Sequence, residues 1–304
     1  ERKTLHILSK KGIFFVASLA VIAAGFIVMG VQKASSGDAL NYSLEFKGGT
    51  ATTVTFPEAM TLEKANADVA PFIEEIAGGA VQIQTVQDSN EVIFKTSSLN
   101  IEQREELNQM FVDKFGVEEK MITSETISSV ISSEMKSDTV IAVVVAIVCM
   151  LIYIRIRFRD IRFGLSSIAA LLHDVLVVLA FYAVARVSVS NTFVACMLTI
   201  VGYSINATIV IFDRIRENMA TMSHKDDLKM VVDKSITQTM SRSIFTSLTT
   251  FIIVAVLYVL GVTSIRDFAL PLMVGIVCGA YSSICLAGSL WYVFRMKFAP
   301  KKEA

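Results

Sequence analysis

The sequence predicts a polytopic α-helical membrane protein with six transmembrane helices and a small α+β ferredoxin-like extracytoplasmic domain between helices 1 and 2. Three observations carry that expectation. Six apolar runs approach the roughly 20 residues that a spanning helix needs, in a chain that is 53% hydrophobic with a mean hydropathy of +0.59. Residues 38–137 hold 17 Asp and Glu against 7 Lys and Arg, although the whole chain has a formal net charge of +0. The balancing bases lie in clusters beside the apolar runs, as the positive-inside rule requires.

The runs are roughly Ile13–Val31, Thr139–Ile154, Phe163–Ala185, Thr192–Phe212, Ile244–Leu260 and Phe268–Phe294. The first follows Arg2, Lys3, Lys10 and Lys11. Its long apolar stretch and the lack of a small-residue cleavage pattern predict a retained helix rather than a signal peptide. Within the acidic block, Thr50–Phe56 reads as a strand and Thr61–Ala77 as an amphipathic helix capped by Thr61. Ala80–Val86 and Val92–Ser97 read as a strand pair joined through Gln87-Asp88-Ser89-Asn90. Asn100 caps a helix to about Phe115, with Gln103 at the capping-box position. Val117–Thr123 is the expected last strand, and Ile127–Lys136 leads helically into the next span. The order β-α-β-β-α-β is that of the split ferredoxin-like motif. The expected division is a cytoplasmic tail and first helix over 1–37, an acidic outer domain over 38–137, and a five-helix bundle with a cytoplasmic C terminus over 138–304.

Orientation follows from the bases. The N-terminal tail is basic; Arg155, Arg157, Arg159 and Arg162 crowd the turn between the second and third runs. Arg214, Arg216, Lys225, Lys229 and Lys234 follow the fourth run, and Arg295, Lys297, Lys301 and Lys302 the sixth. These sites alternate with three poorer ones, so both termini are expected in the cytoplasm. Cys149, Cys196, Cys278 and Cys285 all lie in apolar runs, which predicts packing residues rather than a disulfide framework. His6, His173 and His224 are too scattered in sequence to suggest a metal site, and no cofactor motif occurs. The basic clusters lack interleaved aromatics, which argues against nucleic-acid binding. With no nucleophile–base pair, metal cluster or phosphate loop, an enzyme is not expected.

Polar residues at bilayer depth are costly and point to a pathway or a polar contact. His173 and Asp174 lie in the third run, Ser204 and Asn206 in the fourth, and Gln238 to Thr250 at the start of the fifth. There, positions 239, 242, 243, 246 and 250 share one helical face, carrying Thr239, Arg242, Ser243, Thr246 and Thr250. One reading is a hydrated ion path built on Asp174, His173, Arg242 and these hydroxyls. The other is an Arg242 that snorkels to the membrane surface, with hydroxyls bonded to their own helix. Gly275 and Gly279, continued by Ser283 and Ala287, form a small-residue stripe for close helix packing.

The ordered motifs resemble the SecF family of the bacterial Sec protein-export system, within the resistance-nodulation-division superfamily. Leu44-Glu45-Phe46-Lys47-Gly48-Gly49-Thr50 resembles the segment after the family's first helix, with Glu45 in place of the usual Asp. Arg159 to Gly164, Leu172-His173-Asp174-Val175 and Val201 to Asn206 resemble later family motifs. So do Phe212 to Asn218, which contains Asp213, Arg214, Arg216, Glu217 and Asn218, and Gln238 to Thr250. The resemblance covers nearly the whole chain. It implies a subunit that works with SecD, separate or fused, at the SecYEG channel, and uses a proton or sodium gradient to promote late translocation of preproteins across the bacterial cytoplasmic membrane. The alternative is a half-transporter of the same superfamily that moves lipid or small apolar solutes.

One departure bears on mechanism. The family usually has Asp where this chain has Ala207, a proton-path carboxylate and expected partner of Arg242. Either this chain relies on Asp174 and on carboxylates of the SecD half, or Ala207 is a substitution that disables coupling.

Overall fold

The structure, a computed structural model, describes residues 4–86, 89–158, 160–223, 227–261 and 263–297. Arg2, Lys3, Gln87, Asp88, Arg159, His224, Lys225, Lys301 and Lys302 lie outside the described residues. In chain order, a 3-10 turn Leu8–Lys10 opens into α1 (Lys11–Ser36), followed by a two-residue strand β1 (Asn41–Tyr42), the short α2 (Leu44–Lys47) and β2 (Gly49–Thr55). Next come α3 (Leu62–Lys64), a π turn Ala65–Val69, α4 (Ala70–Ala77), β3 (Gln82–Thr85), β4 (Glu91–Thr96), α5 (Ile101–Phe115) and β5 (Ile122–Ile127). The remainder is α6 (Ser129–Arg157), α7 (Ile161–Ala185), the two-residue β6 (Ser188–Val189), α8 (Asn191–Ala220), α9 (Leu228–Leu260), α10 (Thr263–Tyr281), a π turn Ser282–Ala287 and α11 (Gly288–Lys297).

The chain divides into two compact units, Glu1–Asn41 with Ala142–Ala304, and Tyr42–Ile141. Six helical segments are long and apolar enough to cross a membrane: Leu8–Ser35, Ser129–Arg157, Ile161–Ala185, Asn191–Ala220, Leu228–Leu260 and Ile265–Lys297. They extend past the apolar runs because amphipathic flanks continue the helical period. Leu228 to Ser243 is too polar to read as a run, yet Val232 and Ile236 are buried at helical spacing, and α9 starts there. Asp227 caps it by accepting from the Lys229 N–H at 3.0 Å, as Asp160 caps α7 through Arg162 N–H at 3.0 Å.

In the helical unit, α1 packs on α7, while α8 and α10 pack on each other and each packs on both α7 and α9. An aromatic core joins Phe158, Phe163, Phe212 and Trp291; Phe163 and Trp291 stack with centroids 4.9 Å apart. A contact invisible in the sequence closes the start of the chain onto α9. Asp233, 1% exposed, accepts from the Leu8 N–H at 3.0 Å, and Thr237 Oγ1 from the Leu5 N–H at 3.0 Å. A helix leaves its first N–H groups without internal partners; here α9 supplies two acceptors at the segment that opens α1.

The second unit is a four-stranded antiparallel sheet in the order β3-β4-β2-β5, with α3, α4 and α5. β2 and β3, joined through α3 and α4, run parallel with β4 between them, which is the split β-α-β arrangement. Inward Val54, Val92 and Phe94 pack on Val69, Ile73, Leu107 and Phe111. Thr61 caps α3 through the Lys64 N–H at 3.3 Å, and Asn100 with Gln103 forms the full capping box of α5. The last strand departs from expectation: β5 occupies Ile122–Ile127 rather than Val117–Thr123, and Glu119–Met121 form a 3-10 turn. This polar stretch pairs through hydroxyls, Thr126 with Thr50 at 3.0 Å and Ser124 with Thr52 at 3.1 Å, a cross-strand bond that an apolar pattern does not register.

Candidate functional site

Asp174 sits midway along α7 and is 0% exposed. Its Oδ2 accepts from Ser204 Oγ of α8 at 2.5 Å and from Ser282 Oγ of the π turn at 2.7 Å. Its Oδ1 lies 2.9 Å from His173 Nδ1 and 3.2 Å from Cys278 Sγ of α10. One carboxyl therefore ties three helical segments together, each oxygen doubly partnered; an unpartnered carboxylate in this apolar setting would be very unfavourable. Small residues permit the approach. A Cβ on Gly279 would come within 3.2 Å of Ser204 Cβ, and one on Gly275 would collide with Ile200. The stripe continues with Ser283, whose Oγ is 2.9 Å from Thr208 Oγ1. Ser282 and Cys278 were not singled out as site residues, since only packing reveals that they face Asp174. The sequence reading also took the three histidines as too scattered for a metal site; the fold instead brings His173, Asp174 and Cys278 to one point, with ligand atoms within 4.8 Å.

Arg242 belongs to a different place. A cavity of about 80 Å³ is lined by Tyr203, Asn206, Ala207 and Val210 of α8 with Arg242, Ser243, Thr246 and Ser247 of α9. Positions 203, 206, 207 and 210 form one stripe of α8, and Ser204, one turn before Ala207, borders it. Arg242, Asn206 and Thr246 are exposed. Among the described residues no ion-pair partner for Arg242 occurs, and the buried Tyr203 OH, Ser243 Oγ and Ser247 Oγ lack hydrogen-bond partners. The single face expected on α9 is thus divided: Thr239 and Ser243 are buried, Thr250 is half-buried, and Arg242 and Thr246 are exposed. Thr249 and Thr250 do bond back to their own helix, at Thr246 O, 2.9 and 3.0 Å away.

The charged motif at the end of α8 is a helix-joining network. Asp213 pairs with Arg157 of α6 and lies 3.7 Å from Arg216. Arg214 reaches Glu217 at 2.7 Å and Gln238 Oε1 at 2.7 Å, and Asn218 Nδ2 donates to Ser235 Oγ at 2.7 Å and Gln238 Oε1 at 2.9 Å. It braces α8 against α6 and α9, a reason for these residues that needs no ion.

The motif after the first helix is a turn that launches the central strand. Glu45 and Phe46 lie in α2, Phe46 buried; the Gly48 N–H closes onto Leu44 O at 2.8 Å. Gly48 and Gly49 take φ of 75° and 120°, and a Cβ on Gly49 would run into Thr96 O, so only glycine fits both. Thr50, fully buried, accepts from the Leu99 N–H at 3.0 Å.

Six spanning-length helices, a small α+β unit and a carboxyl buried among polar side chains define a multi-pass membrane protein with a polar centre in its bundle. Residues 107–297 match the family described as Protein export membrane protein SecD/SecF, C-terminal, and the chain belongs to that family. It is 36% identical over 290 residues to the protein translocase subunit SecF of Alicyclobacillus acidocaldarius, covering 95% of this chain and 92% of that one. It is 32% identical to the protein translocase subunit SecDF of Bacillus subtilis, covering 97% of this chain and 39% of the longer protein. The crystal structure of SecDF from Thermus thermophilus, described as a translocon-associated membrane protein, superposes with a TM-score of 0.83 at 34% identity, over 97% of this chain and 39% of that one. The chain thus spans about nine-tenths of the separate SecF and about two-fifths of the fused SecDF proteins.

Proposed function

We propose that this chain is the SecF-type subunit of the Sec machinery, acting with SecD at the SecYEG channel to draw preproteins across the bacterial cytoplasmic membrane at the expense of a proton or sodium gradient. In this reading both termini are cytoplasmic, residues 38–137 form the outer domain, and the bundle carries the ion step. Family membership supports the export role. The observation that carries the ion step is Asp174, fully buried yet contacted by His173 of its own helix and by Ser204, Cys278 and Ser282 of α8, α10 and the π turn.

The chemistry follows from the acceptor count. An ionised Asp174 accepts from both serines. When it takes a proton, one oxygen becomes a donor and a serine must turn away. The tie to α8 or the tie to the π turn is then lost, so occupancy at one atom alters how α7 packs on its neighbour. Arg242 and the Ala207 cavity meet α8 one turn along from Ser204 and take part through that helix.

The test is Asp174→Asn in vesicles containing SecD and SecYEG. Asn keeps the shape and removes the titration; export with a gradient is expected to fall to the level without one. Undiminished stimulation by the gradient would remove Asp174 from the mechanism.

A further inference from the structure

We infer that His173, Asp174 and Cys278 form a binding site for a soft divalent transition-metal cation, zinc being the representative ion. The imidazole Nδ1 and carboxylate Oδ1 are 2.9 Å apart, the thiol Sγ and Oδ1 3.2 Å, and Sγ and Nδ1 3.9 Å. A tetrahedral zinc ion with bonds of about 2.0 Å to N and O and about 2.3 Å to S spaces its donors about 3.3 to 3.5 Å apart. Each separation needs to change by only about 0.4 Å or less to meet that geometry.

The donor set selects the ion. One sulfur, one imidazole nitrogen and one carboxylate oxygen suit zinc and its neighbours, whereas magnesium and calcium prefer oxygen alone. Charge balance selects the valence. A neutral imidazole, a thiolate and a carboxylate carry two negative charges, so a divalent ion gives a neutral centre; an uncompensated charge within an apolar bundle is costly. On binding, Cys278 yields its thiol proton to solvent, as does Asp174 when protonated, and no electron is transferred.

The surroundings are arranged for a ligand set. Ser204 and Ser282 hold Oδ2 of Asp174 at 2.5 and 2.7 Å and leave Oδ1 toward His173 and Cys278, the orienting role that outer partners play around metal ligands. His173 and Cys278 also border a cavity of about 610 Å³, shared with Ser18, Met273 and Tyr281. That cavity leaves room for a fourth, exogenous ligand, the open position of a three-ligand zinc centre. A bound ion would withdraw Asp174 from ion exchange; this consequence rests on the functional reading above, but the binding does not.

The experiment uses the purified full chain in detergent, without a histidine tag, titrated with Co²⁺ and Zn²⁺ salts. Co²⁺ bound to a thiolate shows a near-ultraviolet charge-transfer band. Acidic patches of the small domain cannot produce it, because all four cysteines, at 149, 196, 278 and 285, lie in helical segments elsewhere. The band is expected with the native chain and with the Cys149→Ser, Cys196→Ser, Cys285→Ser triple variant, whose sole thiol is Cys278. It should vanish in Cys278→Ser, and His173→Gln should weaken Zn²⁺ competition at least about tenfold. A band that survives Cys278→Ser, or its absence from the triple variant, overturns the site. The triple variant keeps the test decisive even where Cys278→Ser folds poorly.

Discussion

The two polar places in the bundle, one around Asp174 and one around Arg242, lean on the same helix and differ in completeness. At Asp174 both carboxyl oxygens are doubly met, and the group is fully buried. Around Arg242 it does not. Three buried hydroxyls stand without partners, the guanidinium is exposed, and Ala207 offers only a methyl group to the cavity. A polar network finished within one chain holds that chain together. An unfinished one at the chain's own surface depends on a group supplied from elsewhere or on a side chain that Ala207 lacks.

Restoring a carboxylate beside Arg242 is the strongest way to break this contrast. Ala207→Asp is expected to raise gradient-dependent export in vesicles with the partner subunits, and to give no gain when combined with Asp174→Asn. A gain that persists in the double variant would make the Arg242 cavity self-sufficient. A smaller effect separates the two places by stability. Ser282→Ala leaves the Asp174 oxygen short of a donor and should destabilise the purified chain by about 1–3 kcal/mol, read as a lower thermal midpoint in detergent. An unchanged midpoint would mean that the Ser282 bond is dispensable. The smallest effect is expected at Ser247, whose hydroxyl has no partner to lose. Ser247→Ala should stay within about 0.5 kcal/mol of the native chain, and a loss as large as that of Ser282→Ala would erase the distinction.

Local signals were legible wherever a residue's partner is close in sequence. Thr61 and Asn100 cap the helices assigned to them, because a cap and its N–H are three residues apart. The small-residue stripe from Gly275 to Ser283 meets α8, as its spacing implied. Signals that depend on distant partners were not. Nothing near Asp233 announces that it receives the N–H of Leu8, and nothing near Cys278 announces His173. Strand β5 was misplaced because its register rests on Thr and Ser hydroxyls that face another strand rather than on an apolar alternation. Asp174 was visible as a costly residue within an apolar run and Arg242 as a charge at the entry of one; that they meet α8 at different positions follows only from how three helices pack.

The wide turn at Ser282–Ala287 adds a last point. A π turn carries one residue more than its neighbours, so the helix beyond it is rotated by about 100° relative to an unbroken spiral. At its start, adjacent Ser282 and Ser283 grip two different helices at once, α7 through Asp174 and α8 through Thr208. The last span thus sets two neighbouring hydroxyls on two different helices, and Asp174 holds one of them.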